Sequence, residues 1–368
     1  MKIQVSTKDF DNAMKTSSRF ASSRAQLPIL SNVKLAAGRG KLAIYATNLE
    51  ISSHVTLGAK VEEKGSIAVP ARALGELVAN IKDITMGVSS AKESLKIKTE
   101  SFSGTLAGSN VSDFPEIPES LSKENSVVFN SLSFTKMLSK ILFAVSTDEA
   151  RPALTGALIE ESGDRVVVVS SDGFRLSKVE MVSEKGTASA PALSALVPRA
   201  ILQEVSRLAA GDSISLELKK ESGQILFGSG KSVFASRLIQ GQFPDYEKII
   251  PTGSSTKIEL SKKDMTDALK LVSVYSRDAG NAVRLIVEKS SVRLRAEAAS
   301  SGEGGADIPA KVEGEEMTIN FNYRFLEDFL GSIEGDSVVI KLGGATSPAV
   351  FTSPKDPDYL HLIMPVKG

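Results

Sequence analysis

A threefold internal repeat is the feature that most constrains how this 368-residue chain can fold. Three segments align with one another: STKDFDNAMKTSSRFASS, NSLSFTKMLSKILFAVST and SKKDMTDALKLVSVYSRD. A constant offset of 124 residues relates the first copy to the second, pairing Phe10 with Phe134, Pro28 with Pro152, Leu30 with Leu154 and Asn48 with Asp172. The third copy aligns at Met265 and then needs small gaps. Repeats of this length can each bury a core, so they indicate domains and not solenoid units.

Each third of the chain also carries a second helix and several short strands. The helix recurs as VPARALGELVANI, VPRAILQEVSRLA and FNYRFLEDFLGSI, with Leu74, Leu202 and Leu326 in register. In the first copy, apolar residues at i, i+3, i+4 and i+7 from Leu74 form one apolar face. Runs such as KLAIYAT, RVVVVSS and SVVIKL predict strands bounded by turns. We expect two helices and about eight strands in each third.

The predicted fold class is α+β. The apolar faces of the helices must pack on a sheet, which leaves both helices of a domain on one side of the strands. The polar linkers LSKENS and PTGSST separate the three copies. We therefore predict three repeated domains, at residues 1–125, 126–255 and 256–368.

Charge and composition narrow the class of protein. Lys and Arg number 44 and so do Asp and Glu, which gives a formal net charge of zero. This balance argues against tight, charge-driven binding of nucleic acid. The absence of cysteine excludes disulfides and thiolate metal sites and fits a reducing cytoplasm. No apolar leader or long apolar run is present, so we expect a soluble, cytoplasmic protein without a membrane partner.

Two apparent catalytic signals are weak. The segment LFGSGKSV resembles a P-loop, but Ile225 stands where that motif needs glycine. The following SVFASRLI alternates like a strand and not like a helix, so we expect a hairpin turn. His54 and His361 are far apart and have no carboxylate at metal-ligand spacing, so we expect them on the surface or on edge strands. We predict no catalytic residue, no metal and no cofactor.

The segment SSDGFRLS is the one other place that looks like a small active site. A catalytic interpretation would need a base beside Ser171 or Asp172, and the sequence offers none. A tight turn would have Asp172 bonding local backbone and Gly173 at positive φ. A recognition loop would use Leu176 as an apolar contact and Arg175 as an orienting donor. These interpretations remain open from the residues alone.

Four segments that occur in order resemble the bacterial DNA polymerase III β subunit, the sliding-clamp family: LPILSNVKL, SSDGFRLS, FPDYEKIIP and LIMPVKG. The likeness covers the whole chain, including the triplication. The family's second motif usually reads Thr-Asp-Gly-His-Arg-Leu, whereas Ser171 and Phe174 stand here in place of Thr and His. The resemblance implies that two chains join head to tail in a ring of six domains around duplex DNA. Helices would line the hole and sheets would form the outer wall.

The resemblance implies a non-enzymatic processivity factor. A ring that encloses DNA does not need strong electrostatic attraction to the phosphates, so a net charge of zero is expected. The implied partners are double-stranded DNA without sequence preference, DNA polymerase subunits, the clamp loader, repair proteins and a second copy of the chain. The sequence has no ATPase motif, so another protein would have to power loading.

The resemblance also assigns roles to three sets of residues. A partner-peptide groove between the second and third domains would be formed by Ser171, Gly173, Phe174, Arg175, Leu176, Pro244, Ile249, Leu362, Met364, Pro365 and Val366. The basic residues expected near DNA are Arg24, Arg72, Arg151, Arg199 and Arg324, together with Lys136, Lys140, Lys263 and Lys270. The dimer interface would include Phe102, Leu106, Val274 and Tyr275.

Two alternatives to the clamp remain. One is a three-domain scaffold that binds peptides but does not encircle DNA. The other is a hydrolase that uses Asp172.

Overall fold

Six α-helices occur in pairs along the part of the chain that the structure describes. The structure is a computed structural model that describes residues 1–22, 27–91, 93–162, 165–182, 193–208, 213–277, 280–300 and 302–367. Within these ranges the helices are α1 (Thr7–Ser17), α2 (Ala71–Asn80), α3 (Ser131–Ile141), α4 (Arg199–Ser206), α5 (Lys262–Ser276) and α6 (Tyr323–Ser332). Each third of the sequence therefore holds two helices, which confirms the prediction.

The strands follow the same threefold order. The first third contains β1 (Lys2–Ser6), β2 (Asn32–Gly38), β3 (Lys41–Thr47), β4 (Ile51–Gly58), β5 (Lys60–Glu63), β6 (Gly65–Pro70), β7 (Thr85–Ala91), β8 (Ser94–Lys98) and β9 (Ser103–Ala107). The middle third contains β10 (Ser126–Asn130), β11 (Gly156–Ser162), β12 (Arg165–Ser171), β13 (Arg175–Val182), β14 (Ser194–Pro198), β15 (Ser213–Lys219), β16 (Gln224–Ser229) and β17 (Ser232–Arg237). The last third contains β18 (Thr256–Ser261), β19 (Ala282–Val287), β20 (Ser291–Ala298), β21 (Gly302–Gly314), β22 (Met317–Asn322), β23 (Ser337–Leu342), β24 (Ala349–Ser353) and β25 (Asp356–Ile363).

The first helix of each repeat begins at a side-chain cap. The Ser6 hydroxyl accepts a hydrogen bond from the Asp9 N–H, and the Ser261 hydroxyl accepts one from the Asp264 N–H. Asn130 caps α3 through its side-chain oxygen in the same way. Such caps satisfy N–H groups that the helix itself leaves unpaired, and Asp9 and Asp264 also lie at the positive end of the helix dipole.

The apolar positions that align across the repeats form the cores. The following side chains, related by the repeat, are all buried: Phe10, Phe134 and Met265 in the first helix, Met14, Leu138 and Leu269 one turn later, and Leu74, Leu202 and Leu326 in the second helix. Burying one such side chain stabilises a fold by about 1.5–3 kcal/mol. The repeat seen in the sequence is thus a repeat of core packing.

The described residues form two compact units. The first unit takes its residues from Met1–Thr135, Ser183–Leu193 and Ala200–Leu238. It contains a five-stranded sheet in the order β5-β1-β7-β8-β9 and an eight-stranded sheet in the order β10-β15-β16-β17-β4-β3-β2-β6. In the larger sheet, antiparallel pairing of β17 with β4 joins strands from the first and middle thirds of the chain.

The second unit takes its residues from Lys136–Val182, Ser194–Arg199 and Ile239–Gly368. Its strands form one twelve-stranded sheet in the order β14-β11-β12-β13-β25-β24-β23-β18-β21-β20-β19-β22. Antiparallel pairing of β13 with β25 joins the middle and last thirds. The peptide-groove residues predicted from the sequence all belong to this unit.

The GSGKS segment is a hairpin turn, as predicted. β16 and β17 pair antiparallel up to Ser229 and Ser232, and Gly230 has a φ of 59° in the left-handed region that favours glycine. A P-loop would need a helix at this point.

The prediction that both histidines lie on the surface or on edge strands is wrong. His54 and His361 are buried, because β4 and β25 are central strands at which sheets from successive thirds join. The His54 ring stacks on Tyr45, and the His361 ring stacks on Phe329. Burial lowers the pKa of His54, and burial together with the Arg175 charge lowers the pKa of His361 to about 3.

Candidate functional site

The turn between β12 and β13 is held by its own side chains. Asp172 Oδ1 accepts hydrogen bonds from the N–H groups of Phe174 at 2.9 Å and Arg175 at 3.0 Å. Ser171 Oγ accepts one from the Gly173 N–H at 3.1 Å and donates one to the Arg175 carbonyl at 2.8 Å. Gly173 has a φ of 91°, as predicted for this turn. Asp172 is therefore engaged in shaping the backbone.

Arg175 is fixed by contacts inside the second unit. Its guanidinium donates to Asp172 Oδ2 at 3.0 Å, to Asp328 Oδ2 at 2.5 Å and to the Phe143 carbonyl at 2.5 Å. The same group lies 4.3 Å from the centre of the Phe325 ring, and its side chain is only 11% exposed. The orienting donor predicted at this position is thus occupied within the fold. Arg175 anchors the turn to α6 and to the short 3-10 turn that follows α3.

An apolar cluster lies beside this turn. Leu176 and Leu362 face each other across the β13–β25 pairing. They form a buried cluster with Val167, Val169 and Tyr246. Partly buried apolar side chains pack on its margin: Leu158, Phe243, Ile250, Leu360 and Met364.

Apolar surface remains exposed next to the cluster. The side chains of Phe174 and Ile249 are 58% and 41% exposed. Pro244 is also exposed, on the segment whose neighbour Phe243 packs on the cluster. We call the cluster together with this exposed rim the groove. Large contiguous apolar patches on a protein surface are typical of interaction sites, whereas single exposed apolar residues are not.

The chain beyond β25 completes the groove. The Met364 N–H donates to the Phe174 carbonyl at 2.8 Å, and the Val366 N–H donates to the Asn320 carbonyl at 2.9 Å. Pro365, between them, is half-buried. The structure thus brings together the groove residues that the resemblance implied, from three separate segments.

Sequence reasoning missed the floor of the groove. Val167 and Val169 lie in the run RVVVV, which predicted a buried strand but not which face would meet a groove. Tyr246 lies in FPDYEKIIP, and the aromatic residues of that segment were the available signal. Burial raises the pKa of the Tyr246 phenol, so it stays neutral.

Three of the arginines expected near DNA lie at or next to one position of the repeat: Arg72 and Arg324 share it, and Arg199 lies one residue away. Arg72, Arg199 and Arg324 lie in the first turns of α2, α4 and α6. Arg72 is exposed and pairs with Glu76 at 2.8 Å, whereas Arg199 is half-buried and donates to the Val145 carbonyl at 3.4 Å. Arg324 is exposed. Arg24 lies outside the described residues.

Arg151 lies at the rim of the groove and not on a helix. It pairs with Asp148 at 2.8 Å. Its Nη1 atom is so close to Gly173 that a Cβ there would approach it to 2.6 Å. Glycine at this position therefore leaves space for the guanidinium as well as permitting the turn.

The prediction that Lys140 faces DNA is wrong. Its side chain is buried, with 7% exposed, and its Nζ pairs with Asp356 at 2.7 Å. Position 140 lies beside the buried Ile141 on the covered side of α3, where β25 supplies the carboxylate. The other three lysines remain accessible and pair with surface carboxylates: Lys136 with Glu334, and Lys263 and Lys270 with Asp267.

The residues predicted for the dimer interface lie beside two open strand edges. The Phe102 ring covers Gly104 on β9, and the Tyr275 ring covers Gly304 on β21. β9 is an end strand of its sheet, and residues 302–309 of β21 pair only with β20 in the described chain. Leu106 is half-buried on β9, and Val274 is exposed at the end of α5.

No group of three His, Asp or Glu side chains in the described ranges could hold a metal ion. None of the helices in those ranges has the length and apolar character needed to cross a membrane.

Comparisons with known proteins match the chain along its length. Three family models match: the DNA polymerase III beta subunit N-terminal domain over residues 1–118, its central domain over 129–245 and its C-terminal domain over 247–367. The beta sliding clamp of Synechococcus elongatus is 29% identical and that of Caulobacter vibrioides 28%, over 100% and 94% of this chain and 99% and 94% of theirs.

Solved structures share the fold. The DNA polymerase sliding clamp from Bacillus subtilis superposes with a TM-score of 0.94 at 23% identity, over 100% of this chain and 99% of that one. A sliding clamp from Bartonella birtlesii, solved bound to griselimycin, gives a TM-score of 0.92 at 28% identity over 100% of both chains.

Proposed function

The chain belongs to the DNA polymerase III β-subunit family, and on that premise we propose that it is a DNA sliding clamp that confers processivity on the replicative polymerase. Two copies would form a ring around duplex DNA, in the cytoplasm, without catalysing a reaction. The observation that supports this proposal most directly is the threefold repeat of the helix pair and the strand order. Two such chains supply six equivalent domains for a closed ring.

The strand joints within the chain supply a template for the joint between copies. β4 pairs with β17, and β13 pairs with β25. The repeat places the first half of β21 in the position of β4 and β13, and it places β9 in the position of β17 and β25. Each of these two strands has an edge without a partner strand in the described chain. We propose that β9 of one copy pairs antiparallel with β21 of the other.

The register of this third joint follows from the other two. Ala235 faces Ser52 in the first joint, and Leu362 faces Leu176 in the second. Lys96 pairs with Thr105 in the β8–β9 hairpin as Leu226 pairs with Ala235 in the β16–β17 hairpin, so Thr105 takes the position of Ala235. Likewise Glu297 pairs with Glu303 in the β20–β21 hairpin as Ser171 pairs with Leu176 in the β12–β13 hairpin, so Glu303 takes the position of Leu176. Thr105 should therefore face Glu303 of the partner subunit. Gly104 would then face Gly304 of the partner subunit, with the Phe102 and Tyr275 rings over the two glycines.

The DNA-facing surface is proposed to be weakly basic. Arg72 and Arg324 recur at one position of the repeat and Arg199 lies one residue away, so a dimer would present six of these arginines. Arg24, Lys136, Lys263 and Lys270 are proposed to add to this surface. Pairing of Arg72 with Glu76 reduces the net field that DNA would feel. Weak contacts suit sliding, because each neutralised phosphate adds to the binding free energy and carries no base information.

The groove is proposed to bind extended peptides of the polymerase, the clamp loader and repair proteins. Leu176, Leu362 and Met364 offer an apolar floor, and the exposed Phe174 and Ile249 offer an apolar rim. A few apolar anchors on an extended peptide suit such a surface. Arg151 is proposed to border this groove and not the DNA, since it adjoins Gly173.

The test of enclosure compares circular with linear DNA. The clamp is loaded by its loader onto nicked circular DNA, and retention is followed after a wash in high salt. We expect retention until a restriction enzyme linearises the DNA, because a threaded ring can leave only at an end. Equally fast loss from circular and linear DNA would contradict the proposal.

The same assay separates the alternatives. If the protein is a scaffold that does not encircle DNA, the substitutions Arg24→Ala, Arg72→Ala and Arg199→Ala should have no effect on loading. A hydrolase would show turnover that Asp172→Asn abolishes while peptide binding survives. The hydrogen bonds of Asp172 to its own turn speak against this role.

A further inference from the structure

A basic depression lies on the third domain's sheet, on the face opposite α5. Its volume is about 490 Å³, and its charged and amide lining consists of Arg284, Arg295, Glu297, Glu303, Asn320 and Lys367. The strand neighbours Leu285 and Leu294 are fully buried on the other face. Side chains alternate between the faces of a sheet, so Arg284 and Arg295 point away from the core.

Two arginines face each other here without a carboxylate partner. Arg284 and Arg295 are directly opposite in the β19–β20 register. Neither forms an ion pair within the described part of the chain. Arg293, two residues earlier on the same strand, is paired with both Glu288 and Asp307. Like charges directly opposite destabilise a strand pair, so this site gains from an anionic ligand.

The acidic end of the depression lies beside the proposed joint between the two copies. Glu297 and Glu303 face each other near the open edge of β21. In the proposed dimer, Thr105 of the partner subunit lies opposite Glu303, and Lys96 of the partner subunit is the next residue in that row. The partner strand would therefore compensate these two carboxylates. The basic end, formed by Arg284, Arg295 and Lys367, stays open.

The depression continues the groove. Met364 packs on the groove cluster, and Lys367, three residues later, lines the depression. Asn320 both lines the depression and accepts the hydrogen bond from the Val366 N–H. Three residues span at most about 11 Å, so a peptide seated in the groove reaches the basic end within a few residues.

We propose that this depression binds an acidic flank of the partner peptides whose apolar anchors occupy the groove. The inference rests on the peptide-binding role proposed for the groove. Carboxylates suit the site because guanidinium groups bind them through paired, charge-assisted hydrogen bonds. Partners with Asp or Glu beside their anchors are then favoured over partners without them.

The test uses fluorescent peptides of the replicative polymerase's C-terminal tail. Each carries an added flank of four glutamates or four glutamines, at its amino or its carboxyl end. We expect one of the two glutamate peptides to bind about three- to tenfold tighter than its glutamine counterpart in 50 mM salt. The gain should vanish near 0.5 M salt, where exposed charges are screened.

Substitutions in the depression test whether it produces the tighter binding of the glutamate peptide. Arg284→Gln with Arg295→Gln should remove the gain and leave the affinity for the glutamine peptide unchanged. Arg293→Gln is the matched control, because that arginine shares the strand but is already paired, and it should preserve the gain. A gain that survives loss of Arg284 and Arg295 would overturn the proposal.

The remaining outcomes are distinct. If the glutamine peptides bind but no glutamate flank adds affinity, the groove stands and the inference falls. If no peptide binds, both fall. A single-stranded oligonucleotide that abolishes the gain without displacing the glutamine peptide would make the depression a nucleic-acid site and overturn the proposal.

Discussion

The β17–β4 joint and the β13–β25 joint share one backbone arrangement and differ in their side chains. Ala235 faces Ser52 in the first, whereas Leu362 faces Leu176 in the second. In the first joint, Leu121 from the polar linker packs against the cluster that contains Ala235. The second joint instead leaves Phe174 exposed at its rim. Small and polar residues face each other in one joint, whereas large apolar residues face each other in the other, beside the proposed peptide groove.

The two joints also share a turn. Asn48 Oδ1 accepts from the Glu50 and Ile51 N–H groups at 3.0 and 2.8 Å, as Asp172 does in the second copy. Leu49 takes the place of Gly173 with a φ of 77°. The turn is therefore a property of the repeat. What is specific to the groove comes after it, where Ile51 and Ser52 are replaced by Arg175 and Leu176.

The largest expected effect concerns the third joint, between copies. A Thr105→Cys, Glu303→Cys variant should form a disulfide between subunits on mild oxidation, because facing residues on paired strands lie within about 5.5 Å. The chain has no cysteine of its own, so the background is clean. Non-reducing electrophoresis measures the product.

The matched control moves one cysteine along the same face of β21. Thr105→Cys with Gly305→Cys should not cross-link, since diagonal neighbours lie about 7–8 Å apart. Cross-linking of the control but not of the first pair would mean that the third joint does not share the register of the other two.

The next effect tests the difference between the joints. Met364→Ala with Leu176→Ala should weaken binding of the polymerase tail peptide by a few kcal/mol, because truncating a buried apolar side chain costs about 2–5 kcal/mol. Fluorescence titration measures the affinity, and circular dichroism verifies folding. Ser52→Ala in the other joint is the control and should leave the affinity unchanged. An unaltered affinity in the double variant would contradict the proposal that peptides bind in the groove.

The smallest effect concerns the buried histidines. Burial and Arg175 lower the pKa of His361 from 6.5 to about 3, so the unfolded chain binds this proton more readily than the folded one. The contribution of His361 to stability is full above pH 6.5 and declines as the pH falls toward 3. Urea unfolding of the protein and of a His361→Gln variant should show a shallower pH dependence in the variant. Equal slopes would contradict the assignment.

Local sequence patterns predicted the fold well. They predicted the site less well, because contacts between distant segments decide where its side chains lie. The aligned apolar positions at Phe10 and Leu74 are core residues because helical periodicity is encoded within a few turns. Lys140 was misplaced because its partner Asp356 comes from a strand far along the chain. Arg175 was predicted as a donor to partners, but Phe143 and Asp328 occupy its donors. No local pattern signals such pairings.

The position of β25 has a consequence for biosynthesis. β13 ends at Val182, but the strand that covers its outer edge begins only at Asp356. At the usual pace of a ribosome, the intervening chain takes on the order of ten seconds to emerge. During that interval the nascent chain carries an uncovered strand that includes Leu176, and such edges invite aggregation. The apolar cluster of the proposed groove is then among the last parts of a newly made molecule to be completed.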